Sequence, residues 1–97
     1  MRRVIRHPDV PLELEAAALW YEEHQSGLGN DFLNEYQITL GRILREPERF
    51  PTILEDNRKL NFHRFPYAIV YSVHGDDISI KAVMHLRRRP FYWKGRG

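Results

Sequence analysis

The sequence predicts an α+β fold in which a two-helix antiparallel hairpin packs on a small, mainly antiparallel four-stranded sheet. Two observations predict the elements. Apolar residues recur at helical spacing between residues 9 and 46, and they alternate with polar residues from residue 58 onward, as in strands. A short segment with two β-branched residues precedes the helices, so the element order is βααβββ. At 97 residues, the chain is expected to form a single domain over residues 1–97.

The first strand and the first helix meet at a proline. Residues 2–7 form the strand, which ends at His7 because a residue before proline is held in the extended region. Asp9 is the expected N-cap of the first helix, and Gly27 is its expected left-handed stop. The apolar stripe of this helix is wide, which indicates that it is contacted on two sides.

Gly29 or Asn30 is the expected cap of the second helix, which ends at Pro47. The short link between the helices predicts an antiparallel hairpin. Gly41 lies in the middle of the helix, where glycine costs roughly 1 kcal/mol relative to alanine. Two explanations stay open: close packing on the first helix, or simple tolerance.

Three strands are expected after the helices, at residues 58–65, 67–73 and 78–85. The last two are joined by a turn at residues 75–77. Alternation in the last strand predicts one face formed by Ile78, Ile80, Ala82 and Met84.

Composition excludes several kinds of protein. The chain has no cysteine, so it forms neither a disulfide nor a thiolate metal site. Its five histidines lack metal-ligand spacing, and no metal or other cofactor is expected. No apolar run is long enough to span a bilayer, and residues 1–7 are too polar for a signal peptide. A cytoplasmic location without membrane contact is the expectation.

Charge is distributed unevenly along the chain. Residues 1–57 hold 6 Lys/Arg and 11 Asp/Glu, whereas residues 58–97 hold 9 Lys/Arg and 2 Asp/Glu. Aromatic residues are interleaved with the cations in the second half. This pattern favours a basic surface that attracts phosphates or an acidic protein, and a solubilising tail is the alternative.

Five stretches resemble the RelE/ParE superfamily of type II toxin–antitoxin toxins, also described as plasmid stabilisation proteins. They are AAALWYEE at 16–23, GLG at 27–29 with Phe32 and Leu33, PERFP at 47–51, RFPYAIVY at 64–71, and VMHLRRRP at 83–90 with Trp93. The stretches cover nearly the whole chain in the family's order. The family's fold agrees with the βααβββ order.

The resemblance implies a growth-inhibiting toxin whose partner is a cognate antitoxin. RelE-like members cut mRNA on the ribosome as metal-independent endoribonucleases, and ParE-like members inhibit DNA gyrase without chemistry. A degenerate member that only binds its antitoxin is a third possibility. Whether this chain is an enzyme is left open, as is the choice between ribosome and gyrase.

Candidate residues for the nuclease follow from the chemistry of RNA cleavage, which needs a base, an acid and cations on the phosphate. The candidate catalytic residues are His85, Arg64, Arg88 and Tyr92. Candidate contacts to nucleic acid or to a partner are Arg58, Lys59, Arg87, Arg89 and Trp93. The alternative for Trp93 and Tyr92 is that they pack back on the sheet, and Trp20 and Tyr21 are expected in the core or against the antitoxin.

Some departures from the RelE-like pattern weaken the nuclease interpretation. Leu86 follows His85 where a nuclease tends to have a tyrosine close by, and the nearest tyrosine is Tyr92. Lys59 stands alone where a lysine pair is usual, and residues 57–75 contain no carboxylate.

Overall fold

The computed structural model describes residues 2–97, so Met1 of the predicted domain lies outside the described range. The elements are β1 (Arg3–Arg6), α1 (Asp9–His24), α2 (Leu28–Arg45), β2 (Thr52–Leu54), β3 (Asn57–Asn61), β4 (Tyr67–His74) and β5 (Asp77–His85). The strands form one sheet in the order β1-β5-β4-β3-β2. β1 runs parallel to β5, and the other neighbours are antiparallel.

The predicted α+β class and the mainly antiparallel sheet are confirmed. The sheet has five strands where four were predicted, because Thr52–Leu54 folds back on β3 across a tight turn. Glu55 in that turn has a φ of 53°, in the left-handed region. A strand of three residues is too short to show a period in the sequence.

The helical hairpin closes as predicted, with small shifts at its ends. Gly27 has a φ of 87° and lies at the N-cap position of α2. Asp9 was expected to be the N-cap of α1, but Pro8 occupies that position and Asp9 is the first helical residue. The backbone N–H of Asp9 donates to Nδ1 of His7, so this side chain satisfies one of the free donors at the start of the helix.

The helices cover one face of the sheet, and the C-terminal segment covers the other. The helix-side core includes Phe32, Ile43 and Tyr71. The second cluster contains Ala68, Val70, Ala82, Met84 and Trp93. Both faces of β4 and β5 are therefore buried, although helices lie on only one side.

The predicted face of β5 is wrong in its second half. Val70 pairs with Ala82 and Tyr71 pairs with Ile80, which leaves Lys81 as an extra residue in a β-bulge. The bulge reverses the alternation. Ile78 and Ile80 face the helices, whereas Ala82 and Met84 belong to the opposite cluster.

Tyr71 ties the sheet to the loop after α2. Its side chain is fully buried, and its hydroxyl donates to the carbonyl oxygen of Pro47 at 2.5 Å. Burial raises the pKa of Tyr71 to about 12.

Among the described residues, neither helix is both long and apolar enough to cross a bilayer.

Two helical glycines are expected to respond oppositely to alanine. A Cβ on Gly29 would lie 2.6 Å from the carbonyl oxygen of Ala18, so G29A should lower the free energy of unfolding by about 1–3 kcal/mol. A Cβ on Gly41 meets only the Arg45 guanidinium at 3.9 Å. Close packing therefore does not explain Gly41, and G41A should raise stability by about 1 kcal/mol. Urea unfolding of both variants measures the difference, and equal effects would contradict it.

Candidate functional site

An open groove lies between α1 and the sheet, where β4 begins and β5 ends. Its volume is about 740 Å³. Its walls come from α1 (Asp9, Leu12, Glu13, Ala16, Ala17, Trp20, Tyr21), from the sheet and the turn before β4 (Pro66, Tyr67, Val83, His85), and from the C-terminal segment (Arg88, Arg96). The α1 wall is therefore largely apolar but carries two carboxylates, and the C-terminal segment contributes two arginines.

The apolar wall presents large side chains to solvent. Leu12 is 63% exposed and Trp20 is 54% exposed, although both lie on a helix that packs on the core. The Trp20 ring stacks on His24 with centroids 3.8 Å apart and meets Tyr21 edge-on. The indole is thus held in place while half of its surface stays free. Such an exposed aromatic beside a groove is typical of a protein-binding surface.

The floor of the groove depends on the carboxylate of Glu13. This side chain is only 12% exposed, and it accepts hydrogen bonds from the Val83 backbone N–H at 3.0 Å and the Tyr92 hydroxyl at 2.7 Å. It also pairs with Arg96 at 3.1 Å. Three donors thus satisfy this largely buried carboxylate.

Arg96 completes this network. It lies 3.4 Å from the Asp9 carboxylate and donates to the carbonyl oxygen of Lys81 at 3.1 Å. Glu13 and Arg96 together fasten the C-terminal segment to α1 and to the outer edge of β5.

Tyr92 is a poor proton donor in this arrangement. Burial, followed by its hydrogen bond to the Glu13 carboxylate, raises the pKa of Tyr92 well above its usual value. The Arg88 guanidinium lies over the Tyr92 ring at 3.9 Å from its centroid. The phenol therefore positions Arg88 and the C-terminal segment, and its hydroxyl points to Glu13.

His85 lies in the groove wall at the end of β5. The backbone N–H of Arg87 donates to its Nδ1 at 3.0 Å, which leaves Nε2 to carry the proton of the neutral ring. The ring meets Tyr67 edge-on at 5.1 Å. Of the four candidate catalytic residues, His85 and Arg88 line the groove together.

Arg64 is engaged elsewhere. Its guanidinium lies 3.5 Å from the Asp31 carboxylate and stacks over Phe65 at 5.4 Å. Its backbone N–H donates to Glu35 at 2.7 Å. Arg64 therefore anchors the turn before β4 to α2, and it does not line the groove.

The five candidate contact residues are spread over several surfaces. Arg58 donates to the carbonyl oxygens of Glu48 and Phe50, so it holds the loop after α2. Lys59 lies opposite Val70, on the face away from the helices. Arg87 and Arg89 are exposed.

Trp93 is placed in the core. Its side chain is 2% exposed and belongs to the cluster on the helix-free face. Its assignment as a contact residue is therefore wrong for this conformation, and its alternative, packing on the sheet, is what the structure shows. A tryptophan that follows a basic run can occupy either environment, since its size favours burial wherever a sheet face is free.

Sequence reasoning missed Glu13, Arg96 and the exposed position of Leu12. Glu13 resembles any acid on the polar side of an amphipathic helix, and only the fold brings the C-terminal segment against it. Within residues 2–97, no group of three or more possible metal ligands comes together. The groove is thus lined by apolar and aromatic side chains, one histidine, two arginines and two carboxylates.

Among the comparisons with known proteins, the one with solved structures bears on the fold. No family model and no curated protein matches the chain. A solved structure of the chromosomal ParDE TA system from P. aeruginosa is similar, with a TM-score of 0.66 and 16% sequence identity. The match covers 88% of this chain and 96% of that chain. The fold implied by the RelE/ParE resemblance is thereby confirmed.

Removal of the Glu13 carboxylate is expected to destabilise the protein. E13A leaves the Tyr92 hydroxyl, the Val83 N–H and the Arg96 guanidinium without their acceptor, and each buried unpaired donor costs about 1–3 kcal/mol. Solvent reaching Arg96 reduces the sum, so a loss of about 3 kcal/mol in the free energy of unfolding is expected. Chemical denaturation measures it. The control is E15A on the exposed side of α1, which should change stability by less than about 0.5 kcal/mol.

Proposed function

We propose that the protein is the toxin of a type II toxin–antitoxin pair and that it acts like ParE by binding DNA gyrase, without cleaving RNA. The fold shared with the ParDE TA system structure supports the toxin–antitoxin assignment. The resemblance of residues 64–71 and 83–90 to the superfamily's last strands points the same way. A cytoplasmic location remains a prediction.

The observation that carries the non-catalytic interpretation is the dispersal of the candidate catalytic groups. A metal-free ribonuclease needs an acid, a base and cations around one phosphate. Here the Tyr92 hydroxyl is bonded to Glu13, and Arg64 is paired with Asp31 outside the groove. Of the four candidate catalytic residues, only His85 and Arg88 share the groove, so the predicted catalytic set is not brought together around one site.

The groove is suited to the antitoxin. Its exposed Leu12 and Trp20 offer anchor sites for the apolar face of a helix laid along α1. Arg88, the exposed cation on the opposite wall, favours acidic residues on the partner. The sequence offered Trp20 and Tyr21 as possible antitoxin contacts, and the groove combines both side chains with Arg88. Its apolar surface would supply most of the binding energy.

A second candidate function is RelE-like cleavage of mRNA on the ribosome. His85 and Arg88 side by side in the groove wall favour it, because imidazole transfers protons and guanidinium binds phosphate. The ribosome would then have to supply the missing groups.

Substitution of His85 distinguishes the two functions. Under the gyrase hypothesis, induction of either wild type or H85A without antitoxin stops DNA synthesis first and produces filamentous cells. Under the nuclease hypothesis, wild type stops translation first and H85A loses at least about 100-fold in activity. Pulse labelling of protein and DNA after induction measures both.

The outcomes are exclusive. Early arrest of translation that H85A abolishes would reject the gyrase proposal. Unimpaired growth with soluble wild-type protein would reject the toxin assignment itself and leave the degenerate interpretation. R88Q in the same assay reports whether the neighbouring cation contributes.

Trp20 is predicted to be an anchor for the antitoxin. W20A should weaken binding to the protein encoded by the adjacent reading frame by about 30-fold or more, the effect of losing a central aromatic anchor. Growth inhibition without antitoxin should persist. The matched control is I38A on α2, which removes another exposed apolar side chain, 60% exposed and outside the groove. Equal affinity of W20A and I38A would place the antitoxin elsewhere.

A further inference from the structure

The three consecutive aromatic residues after β5 have different environments. Trp93 is buried under the sheet, and Tyr92 is tied to Glu13. Phe91, in contrast, is 44% exposed. Leu86, earlier in the same segment, is 39% exposed. The segment is thus fixed at one end by two rings and presents a third to solvent.

Phe91 is held in an unusual conformation. Its φ is 59°, which non-glycine residues with large side chains rarely adopt. Its ring packs edge-on against Trp93 with centroids 5.8 Å apart, and its carbonyl oxygen accepts from the Lys94 N–H at 2.9 Å. The buried Trp93 therefore supports the exposed ring of Phe91, whose backbone is strained. Strain of this kind concentrates at functional sites.

The cations around Phe91 are available. Arg87, Arg89 and Lys94 are exposed, and none of them forms an ion pair within residues 2–97. Residues 78–97 contain no acid that competes for them. These exposed residues lie within nine positions of the chain, and we call the set Leu86, Arg87, Arg89, Phe91 and Lys94 the Phe91 knuckle.

We infer that the Phe91 knuckle is the surface that engages the target, and that the target presents an acidic protein patch with a recess for the Phe91 ring. This inference rests on the proposed function and adds the location of target binding. A rigid exposed ring needs little ordering on binding, so it can serve as a central anchor. The surrounding guanidinium groups then match a patch of negative charge and speed the encounter.

The geometry favours a protein over a nucleic acid. Single strands bind to several rings that stack successive bases along a basic groove. Here Trp93 is buried, Tyr92 already stacks under Arg88, and only Phe91 is free. One ring with cations around it is the pattern of a protein hot spot.

The knuckle is next to the groove but separate from it. Arg88 lines the groove, whereas the five residues of the knuckle do not. Substitutions in the knuckle are therefore expected to spare the contacts that the groove offers to an antitoxin.

The test is binding of the purified full-length protein to immobilised DNA gyrase, with single-stranded RNA and DNA oligonucleotides as competing probes. F91A should weaken binding to gyrase by about 30-fold or more. F91G serves as a second variant, because glycine accepts the positive φ and relieves the strain while removing the ring. F91Y keeps a ring and should retain affinity within a few-fold.

The charge variants are R87Q with R89Q, which should slow association by about 10-fold and flatten its dependence on salt. Matched controls are I38A for the exposed apolar side chain and R45Q for an exposed arginine on α2. Neither control should change binding to gyrase. Affinity for the antitoxin should be unchanged in the Phe91 variants and in both controls, which also shows that they are folded.

Several outcomes would overturn the inference. If F91G binds gyrase as tightly as wild type, Phe91 is not the anchor. If wild type binds oligonucleotides but not gyrase, and the Phe91 variants lose oligonucleotide binding, the surface belongs to nucleic acid. Wild type that binds neither probe also rejects it. The growth assay with wild type tests the proposed toxin function independently of the binding assay, so failure of one can be told from failure of the other. Arrest with unaffected F91G binding leaves the toxin assignment standing, whereas no arrest rejects that assignment whatever the binding shows.

Discussion

The packing of the C-terminal segment on β5 and α1 depends on the contacts of one largely buried carboxylate, that of Glu13. β1 pairs with residues 77–80 of β5 and leaves the rest of that edge without a neighbouring strand. Glu13 accepts from the Val83 N–H there, and Arg96 donates to the Lys81 carbonyl. Side chains thus satisfy the edge where a further strand would pair. An unpaired strand edge can associate with other chains. The Glu13–Arg96 pair covers this edge of β5 and also holds the C-terminal segment in place.

The same carboxylate places the C-terminal segment on both faces of the sheet. Tyr92 and Arg96 reach Glu13 on the side of α1, and Trp93 packs against Ala82 and Met84 on the opposite side. The segment therefore straddles the edge of β5. Arg88 is held over Tyr92 as a consequence, and Phe91 is held against Trp93. Both the cationic wall of the groove and the exposed ring depend on contacts that begin at α1.

The elements that the sequence predicted well are those with a strong period. α2 and β4 show it clearly, because one pattern recurs at 3.6 residues and the other at 2. The bulge at Lys81 was out of reach, since residues 82–84 are Ala, Val and Met and either register buries apolar side chains. Charge asymmetry located the basic end of the molecule. It did not show that Arg58 and Arg64 already have acceptors within the fold, because Arg58 bonds to backbone carbonyls of an irregular loop and Arg64 pairs with Asp31 on α2.

An arginine binds an external partner only when the fold leaves its guanidinium unpaired, and this condition sorts the basic residues into two groups. Arg58, Arg64 and Arg96 hold loops and the chain end in place. Arg87 and Arg89 stay free, and Arg88 lies between them with its guanidinium on the groove wall. Under the proposed function, an antitoxin in the groove contacts Arg88 and covers the approach to its two neighbours. Neutralisation then follows from steric overlap at one turn of the chain and requires no change in the toxin's shape.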